Sequence, residues 1–333
     1  MHGYDPRSFW PYVWSIRGAV TLRVLPRVLI FTAIAALVTI ASELRPGLGS
    51  AVGPAEAVGV ALGLLLVVRT NAGHGRWWEA RKLWGGIVNQ SRNLAIDVVA
   101  YGPPDPAFRE RVVRWCAVFP HVARHSLRGE RELPEVAALV GAEEAAAVAR
   151  AQHMPSYVAL RIAALLRASV EHGMDRFAFL AADRERAQLI DHLGACERIL
   201  KTPLPLVYVI KIRRFVALYL VGLPFALVGS VGWVTPFITL MVSYALLGID
   251  QIAVELENPF STANLSHLPL DDISCAIEAN LLGLAALARE PAPPAGDGDL
   301  AAGDGQRDSV TRPVGEARDR VANAPRDVRR VGS

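Results

Sequence analysis

Only three cysteines occur in 333 residues, Cys116, Cys196 and Cys275, and they stand far apart. An odd, scattered set makes neither a disulfide framework nor a Cys-x-x-Cys metal knuckle, so the thiols read as buried or idle in a reducing compartment. Phosphate-cradling glycine loops, nucleophile elbows and zinc-protease patterns are missing too. His121 and His125 have the i, i+4 spacing that can hold a metal on a helix. No glutamate adjoins His121, however, and a polar or stacked helix face is the simpler reading. No cofactor and no metal is therefore expected, and the chain does not read as an enzyme. Alternating strand patterns between turn signals are also lacking, which points to an all-α fold. The apolar run that begins at Val24 has no small-residue cleavage site placed to make it a secretory signal.

What the chain has in quantity is apolar length. A mean hydropathy of +0.28 with 52% hydrophobic but 20% charged residues suggests a membrane part joined to a sizeable soluble part. Residues 1–23 hold Tyr4, Phe9, Trp10, Tyr12 and Trp14 among Arg7, Arg17 and Arg23, a composition suited to the bilayer surface. A first membrane hairpin is expected over 24–68, with a turn in Arg45-Pro46-Gly47. A second is expected over 206–256, interrupted early by Lys211-Ile212-Arg213-Arg214 and turning near Gly229 to Gly232, with Pro224 and Pro236 inside its spans. Between them, 69–205 has no window apolar enough to span, and Val112-Val113, Trp115-Cys116, Phe119 and Val122-Ala123 follow helical spacing, so this region reads as a helical cytosolic domain. Residues 257–290 form a cytosolic C-terminal segment. The stretch 291–333 is too poor in apolar residues to fold and reads as a disordered tail. Basic residues before the first span, after the second and before the third place both termini in the cytoplasm of a multi-pass protein of the cell inner (plasma) membrane.

The chain is organised around 54–93, where a membrane-length apolar run ends in Arg69-Thr70-Asn71 and then in Arg76-Trp77-Trp78-Glu79-Ala80-Arg81-Lys82-Leu83-Trp84. Val60, Leu64 and Val68 make one apolar stripe on a helix, with Glu56 a turn before them. Such a stripe fits a pore-lining helix, and it equally fits a tightly packed buried one. Gly59 and Gly63 add a small-xxx-small pattern that permits close helix contact. Glu79 is spaced to pair with Arg76 or Lys82.

The Arg76 to Trp84 stretch resembles the signature of the bestrophin family. Three further pieces recur in the family's order: Cys196-Glu197-Arg198-Ile199 with Thr202-Pro203-Leu204-Pro205, Arg214-Phe215 to Leu223-Pro224-Phe225, and Glu257-Asn258-Pro259-Phe260 with Leu268-Pro269-Leu270-Asp271. The resemblance implies a homopentameric ion channel of four transmembrane helices per chain with a large helical cytosolic region. Its partners would be the lipid bilayer and monovalent ions, and no nucleic acid. Counted back from the motif, the family's apolar neck falls on Val60, Leu64 and Val68, where the family more often has Ile or Phe. A lower aperture is expected near Gly173 to Phe177, with Met174 and Phe177 as candidates. Animal relatives follow Asn-Pro-Phe with a calcium-binding acidic run; here Ser261-Thr262-Ala263-Asn264-Leu265 follows Phe260, so no calcium gate is expected. Many relatives resemble chloride channels and some prokaryotic ones are cation-permeable. Five Glu56 carboxylates at the outer mouth would favour sodium or potassium, whereas Arg69 and Arg76 could attract anions unless Arg69 snorkels or pairs. The alternative to a channel is a membrane-anchored sensor or scaffold whose cytosolic helices bind a partner.

Overall fold

Residues 53 to 101 form one uninterrupted helix of 49 residues, about 74 Å at 1.5 Å per residue. No proline lies between Pro54 and Pro103 to stop it. The computed structural model describes residues 9–15, 20–45, 47, 53–287 and 289. Among these the elements are α1 (Trp10–Val13), α2 (Thr21–Leu44), α3 (Gly53–Tyr101), α4 (Pro106–Arg128), α5 (Pro134–Val140), α6 (Ala142–Arg150), α7 (Met154–Glu171), α8 (Arg176–Lys201), α9 (Leu206–Val231), α10 (Thr235–Glu257) and α11 (Leu270–Leu287). The described residues contain no strand, as an all-α fold requires. The tail 291–333 and most of the segment 1–23 lie outside the described residues.

The boundary expected at 68/69 falls inside α3, about a third of the way along it, and this helix runs without a break through two apolar clusters. Its first half packs with α9 and α10 around Leu62, Leu66, Ile212, Val216 and Leu220, and α2 lies against α9 and α10, with Phe31 reaching the same cluster. Its second half enters a larger core with α4, α7, α8 and α11, centred on Trp84, Ile87, Phe119, Ile162, Leu189 and Leu281. Glycines let the helices approach closely. A Cβ on Gly86 would lie 2.4 Å from His192 Nε2, and one on Gly59 would lie 2.7 Å from the Tyr219 hydroxyl. Gly63 has nothing within 4 Å of that position, so half of the small-residue pair makes no contact within the chain.

Local chemistry sets the helix ends. Asp105 caps α4 by accepting from the Ala107 amide at 2.9 Å, with Pro106 in the first turn, and Gly129 ends the helix at φ +74°. The basic break Lys211 to Arg214 does not interrupt α9, which runs from Leu206 to Val231. Pro236 sits in the first turn of α10 rather than within the span, where its missing N–H costs no helical hydrogen bond. Three helical stretches among the described residues are long and apolar enough to cross a membrane: Thr21–Leu44, Ala55–Tyr101 and Leu206–Glu257. The last holds both α9 and α10, joined by the tight turn Gly232–Val234.

Candidate functional site

Two opposite faces run down α3. One is the packed stripe, with Leu62 and Leu66 no more than 2% exposed, continuing through Arg69, Gly73, Ala80, Trp84 and Ile87. The other carries Val60, Leu64 and Val68, which are 77%, 67% and 52% exposed. Glu56 is exposed on the same side in the first turn, where a carboxylate also suits the positive end of the helix dipole. The buried-helix alternative for the three apolar residues therefore does not hold within one chain: they are turned away from its core. Below Val68 the free face carries Asn71, Gly75 and Trp78 and then Lys82, which is 18 residues after Leu64, so back on the same line at roughly 100° per residue, and is exposed.

The signature residues converge where α3, α8 and α10 meet. Arg76 donates to the carbonyls of Ile199 and Thr202 at the end of α8, and its Nε donates to the Glu257 carbonyl at the end of α10 at 3.1 Å. One guanidinium thus satisfies carbonyls that two helix ends leave without internal partners. Trp77 Nε1 donates to the Ser266 carbonyl at 2.8 Å. Trp78 is half exposed and Trp84 is fully buried. Glu79 pairs with neither Arg76 nor Lys82; its partner is Arg198, at 2.8 Å. The spacing allowed a bond along one helix, but the Arg76 side chain is committed elsewhere and α8 brings Arg198 alongside. Asn258 forms a side-chain turn, accepting from the Phe260 amide at 3.1 Å, and Pro259 accepts from the Leu268 amide at 2.7 Å. Phe260 is fully buried in the larger core.

Arg69 is fully buried and ion-paired with Asp250 of α10, which also accepts from Arg213 Nε of α9 at 3.3 Å. It is not a free charge on the exposed face. The clue in the sequence was Asp250 itself, a lone carboxylate ending an apolar run. Of the two aperture candidates, Met174 is 3% exposed and packed in the larger core of the chain, just after Gly173 at φ +104°, whereas Phe177 is 82% exposed at the start of α8.

The two histidines of α4 have separate partners. His121 bonds to Glu278 of α11 at 2.7 Å, and burial pulls its imidazole below the usual value. His125 bonds to Glu130 at 2.8 Å and to Glu135 at 3.2 Å. Glu135 is half-buried, which raises its pKa, but hydrogen bonds from Arg124 and His125 outweigh this and hold it at about 2. Such a carboxylate stabilises the fold above its unfolded value near 4.5 and loses that contribution as the pH falls toward 2, on the order of 1–2 kcal/mol after allowance for solvent screening. Acid unfolding midpoints should accordingly be less pH-dependent in Glu135→Gln between pH 4.5 and 2. An unchanged pH profile would mean that the cluster does not brace α4 and α5.

A family model described as bacterial/fungal bestrophin protein matches residues 3–283. A voltage-dependent anion channel-forming protein of a Nostoc species is 33% identical over 84% of this chain and 93% of its own length. The protein of the same description named YneE, from Escherichia coli, is 32% identical over 86% of this chain and 95% of its own length. A crystal structure of a bacterial bestrophin homologue from Klebsiella pneumoniae superposes with a TM-score of 0.74 at 29% identity, covering 79% of this chain and 98% of that one. These relatives are named as channels rather than enzymes, and the apolar helices fit a membrane protein. With its signature residues gathered at one joint and its whole helical body matched, this chain belongs to the bestrophin family.

Proposed function

We propose that five copies of this chain enclose an ion pathway across the cell membrane, with Val60, Leu64 and Val68 as three stacked apolar rings at its neck. The observation that carries this reading is the free face of α3. Its apolar residues point away from the chain's own core along the helix most extensively built into the molecule. In this arrangement α2, the first half of α3, α9 and α10 are four spans. The arginines at the start of α2 and α9 and in the middle of α3 keep both termini and the lower helical part in the cytoplasm. An apolar neck controls passage by dewetting, because an ion there sheds water and meets no polar replacement. Phe177 is the remaining candidate for a lower constriction.

The permeant ions in this reading are small and monovalent. Relatives named as anion channel-forming proteins favour chloride, and exposed Lys82 on the line of the neck would place five positive charges below it. Glu56 favours the second reading, cation permeation, since five exposed carboxylates at the outer mouth concentrate sodium and potassium. The two rings make opposite predictions. Under asymmetric sodium chloride, Glu56→Gln should move the reversal potential toward the chloride potential and Lys82→Gln should move it away. If neither variant shifts it, the charged residues of this face do not line the pathway. Purified protein in a planar bilayer tests the function itself: discrete current steps are expected from a species whose detergent-corrected mass is that of five chains. A conducting monomer or dimer, or a pentamer without current, would overturn the proposal.

A further inference from the structure

Arg27 lies in the second turn of α2, inside a stretch apolar enough to span a bilayer, and among the described residues no carboxylate pairs with it. Asp250, which lines a cavity together with it, is already held by Arg69 and Arg213. Arg27, Arg213 and Asp250 line one end of a cavity of about 340 Å³ between α2, α9 and α10, whose other walls are apolar and include Phe31, Val216, Ala217 and Leu247. Two guanidinium groups thus hold one carboxylate while a third, Arg27, lines the same cavity, and Arg213 keeps half of its side chain exposed. An unneutralised guanidinium at membrane depth is costly unless it reaches an anion. The anion that fits here has an apolar continuation, because the cavity is charged at one end and greasy along the rest.

We propose that this cavity binds an anionic phospholipid of the cytoplasmic leaflet, with its phosphate between Arg27 and Arg213 and an acyl chain along Phe31, Val216 and Leu247. The proposal rests on the reading that α2, α9 and α10 cross the bilayer. It does not depend on conduction. The phosphate oxygens accept charge-assisted hydrogen bonds from the two guanidinium groups, and Arg213 has donors to spare beyond the one given to Asp250. The lipid then joins α2 to α9 at the level where Asp250 joins α3, α9 and α10.

The test is native mass spectrometry and thermal unfolding of the assembled protein in detergent, with phosphatidylglycerol, with phosphatidylcholine of identical chains, and with inorganic phosphate. Phosphatidylglycerol should bind about tenfold more tightly than phosphatidylcholine and raise the unfolding temperature, while inorganic phosphate does neither. Arg27→Gln should remove about tenfold of the phosphatidylglycerol affinity, Arg27→Lys should keep most of it, and Ala217→Trp, which fills the apolar part, should weaken both lipids. Arg27→Lys guards against misfolding of the glutamine variant, and assembled mass is checked for each. Equal binding of the two lipids, or an unchanged affinity in Arg27→Gln, would overturn the site. Stabilisation by inorganic phosphate equal to that by the lipid would make it a small-anion site instead, which also overturns the proposal. Because no current is recorded, a protein that binds the lipid but does not conduct fails the channel reading alone.

Discussion

In the channel proposed above, Leu64→Ala should raise single-channel conductance or open probability by a factor of about two or more, since it would remove the middle of the three proposed apolar rings and lower the dewetting barrier there. The substitution should cost the folded chain little. Leu64 is two-thirds exposed and lies outside both apolar cores, and substitutions at such positions usually stay within about 0.5 kcal/mol. Two residues earlier on the same helix the expectation reverses. Leu62 is packed with Ile212, Val216 and Leu220, so Leu62→Ala should cost about 2–5 kcal/mol through the cavity it leaves, with the conductance of surviving assemblies unchanged. Paired recordings and thermal unfolding curves separate the two effects. Wild-type currents from Leu64→Ala together with altered currents from Leu62→Ala would mean that the pathway lies on the other face of α3.

The helices were legible in the sequence because their causes are local. Periodic apolar residues, Asp105 and Pro106 before α4, and the absence of proline across 55–102 all act within a few turns. The stripe of Val60, Leu64 and Val68 was legible as a stripe, but periodicity alone does not say whether a stripe meets the core. That is decided by what packs on the opposite side, here Tyr219 against Gly59 and the α9 residues against Leu62 and Leu66. The same dependence decides other side chains. Spacing along α3 offers Glu79 two partners, yet the one it has lies 119 positions away; family resemblance offers Met174 and Phe177 alike, and only the packing of the chain buries the first and leaves the second exposed. The function of Arg76 was hidden for the same reason. Capping two helix ends requires that both ends arrive at one point, and no spacing in the sequence records that.

Asp250→Asn should be among the most damaging single substitutions in the apolar bundle. Arg69 is fully buried, and Asp250, 4% exposed, is the carboxylate that neutralises it. Removing one partner of a buried pair leaves an uncompensated charge and costs about 3–5 kcal/mol. The pair ties α3 to α10, and Arg213 brings in α9, so the loss should lower both the yield of assembled protein and its unfolding temperature in detergent. Arg213→Gln should be much milder, because that side chain is half exposed and its separation from Asp250 is 3.3 Å. Replacing both members with apolar residues of similar volume, Arg69→Met with Asp250→Leu, should recover most of the stability, since a buried pair replaced as a unit is often neutral or stabilising by about 1–4 kcal/mol. The comparison distinguishes an electrostatic obligation from simple packing. If the double variant unfolds no later than Asp250→Asn, the carboxylate serves through its shape and hydrogen bonds rather than by balancing Arg69; if Asp250→Asn unfolds with the wild type, water or lipid neutralises Arg69 and the pair does not hold the bundle together.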